Sequence, residues 1–278
     1  MKKYLFLLLS LVIFSCTTED DFITNQEEAT IDQVSAKSTN AVSLIKTYNS
    51  YSFYRGFNTW RREFTVRVAN IGFEKNVSIY HEKVDGSWEE IPLTYSLSVD
   101  DQAEIWTGKY EYTGYTADKI YDDEFVVKYE VNGTTYWDNN NNENYVVGEK
   151  EVGYLFTQPD LNISVDSASL YPHYTGGNSF NLIVDVRNID PSKEVEVAYT
   201  TDGWQTIQYL PLNFTARYYS GYQYVLVSPN QFGIERWTGS TIVDSSIDTI
   251  EYAVVYRVNG QEYWDNNYNN NYTVHKTN

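Results

Sequence analysis

One pattern occurs twice in this chain. Val131-Asn132-Gly133-Thr134-Thr135-Tyr136-Trp137-Asp138-Asn139-Asn140 returns as Val258-Asn259-Gly260-Gln261-Glu262-Tyr263-Trp264-Asp265-Asn266-Asn267. Upstream, Val66-Arg67-Val68-Ala69-Asn70-Ile71, followed by Lys75 and Val77, is matched by Val184-Asp185-Val186-Arg187-Asn188-Ile189, followed by Lys193 and Val195. Between these stretches each copy carries a tryptophan, Trp88 in Gly-Ser-Trp and Trp204 in Asp-Gly-Trp. A pattern repeated in the same order obliges the chain to build one unit twice rather than one large core. The 278 residues then divide into a first domain at 41–148, a linker at 149–160 and a second domain at 161–278, each of ordinary domain size.

Within each copy the apolar residues alternate. Val66, Val68 and Ile71, then Val77 and Ile79, follow a period of two in β-branched residues, and no segment sustains an apolar period of 3.6. Asn132-Gly133 and Asn259-Gly260 are hairpin signals, because a type I′ turn needs positive φ at both central positions. Short strands at this spacing predict an all-β chain of two tandem immunoglobulin-like antiparallel β-sandwich domains. The 42% hydrophobic content suffices for packed cores, and the 27 tyrosines suit both strands and binding faces.

The hairpins also set a register. With a two-residue turn, Val131 opposes Thr134, Glu130 opposes Thr135, Tyr129 opposes Tyr136 and Lys128 opposes Trp137. Phe125, Val127, Tyr129 and Val131 then share the core face, as do Tyr252, Val254, Tyr256, Val258 and Tyr263 in the second copy. Trp137 falls on the outer face beside Lys128. Val255 and Trp264 face outward likewise, and Arg257 opposes Glu262 there as a cross-strand charge pair.

An outward indole followed by amides suits a sugar. The ring stacks on the apolar C–H face of a pyranose, while Asn side chains bond its hydroxyls. Asn139 and Asn144 follow Trp137 at the spacing at which Asn266 and Asn271 follow Trp264, so one turn would aim both amides at a single ring. A second reading stays open: Asn is common in turns for conformational reasons alone. A third, a calcium loop, is echoed by Asp138-x-Asn140-x-Asn142 and Asp265-x-Asn267-x-Asn269, but the Gly and terminal Glu of the EF-hand pattern are absent. No metal and no cofactor is expected.

Two of these stretches carry a family resemblance. Asn70-Ile71-Gly72-Phe73-Glu74-Lys75-Asn76-Val77, and Trp137-Asp138-Asn139-Asn140 through Asn144-Tyr145, resemble the diagnostic stretches of carbohydrate-binding module family 21. That is the starch- and glycogen-binding module of fungal glucoamylases and of glycogen-targeting subunits of protein phosphatase 1. The resemblance spans nearly all of both copies and implies a sandwich that binds α-1,4-glucan without cleaving it. It implies one sugar site at Trp88, Trp137, Asn139 and Asn144, its counterpart at Trp204, Trp264, Asn266 and Asn271, and a further site at Phe73 and Lys75. The chain departs from the family at three points. Val126 and Ala253 stand where fungal members have a tyrosine, Pro191 replaces the aromatic matched by Phe73 and leaves Lys193 without that partner, and no Arg/Lys-Val-x-Phe phosphatase-docking motif is present.

Charge and the N-terminal residues bound the setting. A net charge of −18 disfavours nucleic acid and anionic lipid, since a phosphate backbone calls for a basic patch. Lys2 and Lys3, the apolar run Tyr4 to Phe14 and small Ser15 read as a secretion signal, too short to span a membrane. Ile13-Phe14-Ser15-Cys16 resembles a bacterial lipobox, which makes Cys16 the lipidated first residue of the mature protein and 1–16 the signal peptide. Residues 17–40 read as a flexible tether, and Thr17-Thr18-Glu19-Asp20-Asp21 resembles an acidic signal for export to the outer face of the outer membrane. The expectation is a secreted protein held by a lipid anchor alone, in the setting of a polysaccharide-uptake complex. Cys16 is the only cysteine, so the mature chain folds without disulfides.

Catalysis is not expected. His81, His173 and His275 lie far apart without ligand or triad spacing, and the pairs Asp100-Asp101 and Asp122-Asp123 are adjacent in sequence rather than set across a cleft. The reading is therefore non-catalytic glucan binding in which two weak sites gain by avidity, which multiplies affinity by about 10²–10⁴ when both engage one polymer. The alternative is a structural or adhesive surface lipoprotein whose sandwiches are spacers.

Overall fold

The protein is described by a computed structural model over residues 41–115, 120–148, 151–220 and 224–277. The signal peptide, Cys16 and the tether at 17–40 lie outside the described residues. Both copies belong to one compact unit. Among the described residues no helix is long and apolar enough to cross a membrane.

The first copy comprises β1 (Val42–Tyr54), β2 (Phe57–Ala69), β3 (Lys75–Lys83), β4 (Trp88–Pro92), β5 (Thr94–Asp100), β6 (Ala103–Tyr115), β7 (Tyr121–Val131), β8 (Thr134–Asp138), β9 (Tyr145–Val146) and β10 (Gly153–Phe156). The second comprises β11 (Ile163–Pro172), β12 (Asn178–Arg187), β13 (Lys193–Thr200), β14 (Gln208–Pro211), β15 (Asn213–Phe214), β16 (Arg217–Ser220), β17 (Tyr224–Val227), β18 (Ile234–Val243), β19 (Thr249–Val258), β20 (Gln261–Asp265) and β21 (Tyr272–His275). In the first copy a sheet ordered β10-β1-β2-β6-β5 faces one ordered β4-β3-β7-β8, with β9 on β7. In the second, β11-β12-β18-β15 faces β14-β13-β19-β20, with β21 on β19, and β16-β17 forms a separate ribbon. Every pairing between these strands is antiparallel, and each copy is a β-sandwich.

Alternation drives this arrangement. Phe64, Val66 and Val68 of β2 meet Ile79, Phe125, Val127 and Tyr129 of the facing sheet in one core. Phe180, Leu182, Val184 and Val186 meet Val197, Tyr252, Val254 and Tyr256 in the other. Each such side chain contributes about 1.5–3 kcal/mol by leaving water. A buried tyrosine needs a partner for its hydroxyl, and the copies solve this alike: Tyr129 donates to Ala69 O at 2.7 Å and Tyr256 to Arg187 O at 2.9 Å. The hairpin registers are those expected from the turns, Lys128 opposite Trp137 and Val255 opposite Trp264. The turn residues take φ of 52° and 72° at Asn132-Gly133 and 51° and 72° at Asn259-Gly260.

The stretch 149–160, expected as a linker, joins the copies through a strand. Gly153–Phe156 of β10 pairs with Asn49 to Lys46 of β1. Tyr154 and Phe156 then pack on Ile234 of the second copy, and Asn230 Nδ2 donates to Tyr154 O at 2.9 Å. A side chain at Gly153 has no room, since its Cβ would lie 2.6 Å from Asn230 Nδ2. Nearby, Arg236 grips Asp185 through Nε–Oδ1 at 3.1 Å and Nη2–Oδ2 at 2.7 Å, both side chains being buried. Lys46 of the first copy donates to Ser164 of the second. The contacts of β10 and the Lys46–Ser164 bond fix one copy against the other.

Candidate functional site

The site is built on the outer face of the β4-β3-β7-β8 sheet and its equivalent in the second copy. Cross-strand register defines its rows. In the first copy Glu90, Tyr80 and Val126 stand in one row, and Pro92, Ser78, Lys128 and Trp137 in the next. Trp88 stacks on Tyr80 with centroids 5.3 Å apart, and Trp137 meets Tyr80 edge-on at 5.8 Å. Lys128 lies 5.9 Å from the Trp137 ring centroid and pairs with Glu90 and with Glu130, the latter at 3.0 Å. Partial desolvation opposes the charge, but the bonds to Glu90 and Glu130 outweigh it and raise the Lys128 pKa above its ordinary value.

The second copy fills the same rows differently. Tyr209, Ala198 and Ala253 stand where Glu90, Tyr80 and Val126 stand in the first, and Pro211, Glu196, Val255 and Trp264 form the next row. Trp264 is 47% exposed, as the register predicted. Val255 lies on this face as expected, opposite Trp264, but it is fully buried. Arg257 pairs with Glu262 at 2.7 Å as expected and also with Glu196 at 3.0 Å. Trp88 opens strand β4, whereas Trp204 sits in a turn with φ of 66°. Its amide donates to Thr200 Oγ1 at 3.0 Å and its indole N–H to Glu251. Asp202 caps this turn by accepting from Thr206 N at 2.9 Å, Thr206 Oγ1 at 2.7 Å and Thr200 Oγ1 at 2.8 Å.

The Asn-rich loop that ends the rows is a run of left-handed backbone. Asn140, Asn141, Asn142 and Asn144 have φ of 50°, 60°, 71° and 54°, and Asn267, Tyr268, Asn269 and Asn271 repeat this at 51°, 55°, 69° and 56°. Asn is the side chain other than glycine that tolerates this region best, so most of the asparagines answer a backbone demand. The loop closes alike in both copies, through Asn144 N to Asn139 O at 2.9 Å and Asn271 N to Asn266 O at 2.8 Å. This brings Asn139 to Asn144 and Asn266 to Asn271.

Part of their bonding capacity is used internally. Asn139 accepts from Asn142 N and donates to Asn142 Oδ1, both at 3.2 Å, and Asn266 does the same with Asn269 at 3.0 and 3.2 Å. Asn144 donates to Glu124. An amide that has used one donor and one acceptor retains one of each for a hydroxyl.

The aspartate of the motif points away from the face. Asp138 Oδ2 accepts from Leu44 N at 2.7 Å, Tyr145 OH lies 2.8–2.9 Å from both oxygens, and Asn140 N donates to Oδ1 at 3.3 Å. Asp265 repeats this with Val165 N at 2.8 Å, Tyr272 OH at 2.8 Å and Asn267 N at 3.3 Å. Burial first, then the adjacent carboxylate, pushes the Tyr145 and Tyr272 hydroxyls well above the usual phenol range. These carboxylates anchor the loop to the first strand of the sandwich.

Phe73 and Lys75 are not drawn together. Phe73 is 99% exposed, whereas Lys75 is buried against Glu104 at 2.7 Å and Asn70 at 2.7 Å. Lys193 makes the same pair of bonds, to Glu235 at 2.8 Å and Asn188 at 2.7 Å. The repeated Asn and Lys of the first diagnostic stretch thus share a structural role in both copies.

Comparison with known proteins decides the family. The model of the carbohydrate/starch-binding module, family 21, matches residues 63–148 and again 169–275. The chain belongs to that family. One family 21 segment falls within each of the two sandwiches. Among curated relatives, glucoamylase 1 of Rhizopus oryzae is 37% identical over 82 residues, which is 30% of this chain and 13% of that protein. Glycogen-binding subunit 76A of Drosophila melanogaster is 33% identical over 89 residues, 32% of this chain and 12% of that protein. The chain thus spans about an eighth of either relative. Among solved structures, the starch-binding domain of the Rhizopus oryzae glucoamylase, in complex with β-cyclodextrin and maltoheptaose, is 31% identical, covers 41% of this chain and 98% of its own, and has a TM-score of 0.28. Membership makes this a carbohydrate-binding chain, and the matched part of the glucoamylase is a binding module.

Three participants escaped the sequence reading. Tyr80, Tyr209 and Glu90 carry no motif, and only cross-strand register places them on the face that bears the tryptophans. The alternation of Tyr80 with core Ile79 was the available signal.

Proposed function

We propose that this protein binds α-1,4-glucan, as in starch and glycogen, without cleaving it, through the outer faces of both modules. The observation that carries the reading is the twice-built face on which Trp137 and Trp264 stand beside Asn139 and Asn266 in the same register. A flat ring next to free amide capacity matches the alternating C–H faces and hydroxyls of a pyranose chain. The relatives support it by their names, a glucoamylase and a glycogen-binding subunit.

The two modules act on one polymer. Their fixed juxtaposition replaces the search of a flexible tether with a set spacing, and avidity then depends on whether a glucan presents two stretches at that spacing. The setting we propose is the cell surface, with Cys16 lipidated, residues 17–40 as tether, and a polysaccharide-uptake complex as partner. This part rests on the sequence of the N-terminal residues.

Retention of the full chain on insoluble starch tests the reading. Trp137→Ala and Trp264→Ala are each expected to weaken retention, and the double variant to abolish it. Equal retention of wild type and double variant refutes the tryptophan assignment. If wild type is not retained at all, the spacer reading takes its place.

A further inference from the structure

The two faces differ where the family has a tyrosine. That position is Val126 in the first module and Ala253 in the second. Register shows that each row regains an aromatic from another strand. In the first module Tyr80 of β3 stands directly beside Val126. In the second, Ala198 occupies the place of Tyr80, and Tyr209 of β14 stands on its far side, 55% exposed. The loss of one ring is offset in both modules, but from different distances.

That distance changes the shape of the site. Neighbouring strands lie about 4.8 Å apart. Tyr80 is two strands from Trp137, and its ring already touches both Trp137 and Trp88. The first face is one closed cluster, with the Glu90–Lys128–Glu130 charges along it. Tyr209 is three strands from Trp264, about 14 Å by the same spacing. Between them lie Ala198, Ala253 and Val255, which raise no side chain above the sheet comparable to a tyrosine. Among the described residues Trp204, Tyr209 and Trp264 make no ring contact with one another. Leu210, next in β14, points into the core, so Tyr209 is held on the outer face by strand alternation.

Resting on the glucan reading above, we propose that Tyr209 is a sugar-stacking residue of the second module. It extends that site so that the second module engages a longer stretch of glucan than the first. The second module is then the one whose affinity keeps rising with chain length. The first saturates on short oligosaccharides.

The test uses the full chain and titration calorimetry with maltose and with maltoheptaose. In a Trp137→Ala background, where only the second site remains, Tyr209→Ala is expected to weaken maltoheptaose binding about 2- to 10-fold, the size of one stacked ring. Maltose binding should not change, and Tyr209→Phe should bind as the background does. In a Trp264→Ala background Tyr209→Ala should be silent, and Tyr80→Ala should weaken both ligands. Unchanged maltoheptaose binding by Tyr209→Ala, in a background that still binds, overturns the proposal and leaves the glucan reading standing. An equal loss on maltose overturns the lengthened site. If the Trp264→Ala chain binds and the Trp137→Ala chain does not, the second site is no glucan site and the proposal falls. If the wild-type chain binds neither sugar, the glucan reading falls with it.

Discussion

Substituting Asp138 separates an anchor from a sugar ligand. Its carboxylate takes the main-chain N–H of fully buried Leu44 at 2.7 Å and the hydroxyl of buried Tyr145 at 2.8 Å. Asp138→Ala strands both donors away from water, at about 1–3 kcal/mol each, so the first module should lose about 2–6 kcal/mol. Against a typical domain stability of about 5–15 kcal/mol that is a large fraction. Tyr145→Phe removes a donor and leaves the carboxylate with its other partners, and should cost about 0.5–1.5 kcal/mol. Because the two residues share one bond, the double variant should cost less than the sum. Urea unfolding followed by tryptophan fluorescence measures the stability, and starch retention under conditions where the variant is folded measures binding. The expected result is a destabilised module that binds glucan normally when folded. Unchanged stability with lost binding would instead make Asp138 a sugar contact.

Three further outcomes follow from the same geometry. Asn141→Val forces a β-branched residue to a φ of 60° and should destabilise the loop by about 1–2 kcal/mol, whereas Asn141→Gly should cost little, as thermal unfolding would report. Lys75→Met should destabilise by about 3–5 kcal/mol because it leaves buried Glu104 without its partner, while calorimetric glucan affinity of the folded variant stays unchanged; a weakened affinity in a fully stable variant would return Lys75 to the sugar site. Asp202 has its pKa lowered to about 2 by the backbone and hydroxyl bonds of Thr206 and by Thr200. Because the folded value is depressed, its contribution to holding the Trp204 turn is complete above the ordinary carboxylate pKa of about 3.9 and is lost as pH falls through about 2. Fluorescence of a Trp264→Ala chain should therefore report a Trp204 change in that acidic window, absent in Asp202→Asn.

Much of the fold was legible because local rules agree with the tertiary result. Asn-Gly demands a type I′ turn, the turn sets register, and register puts Trp137 opposite Lys128 wherever the hairpin is placed. The cores followed from alternation for the same reason. What surrounds the outer face was not legible. Val255 has outward parity yet no exposure, since exposure depends on neighbours from strands distant in sequence. The Asn-rich loop looked like a row of sugar ligands, and only the dihedral angles show how much of it serves the backbone. Lys75 likewise looked available until Glu104, on β6, met it.

The duplication, the all-β class, the hairpin register and the family could be read without a structure, because each rests on contacts between residues near in the chain or on a pattern that repeats. Which aromatics share a face is set only when the sheets assemble. Tyr80 and Tyr209 do not correspond in sequence, yet both serve the same row, since a sheet makes neighbours of residues that the chain keeps apart. The segment between the copies, read from sequence as a linker, likewise carries a strand that pairs with β1 and packs on the second copy. Whether such a segment swings or packs depends on the surface it meets, and that surface exists only once both sandwiches have folded.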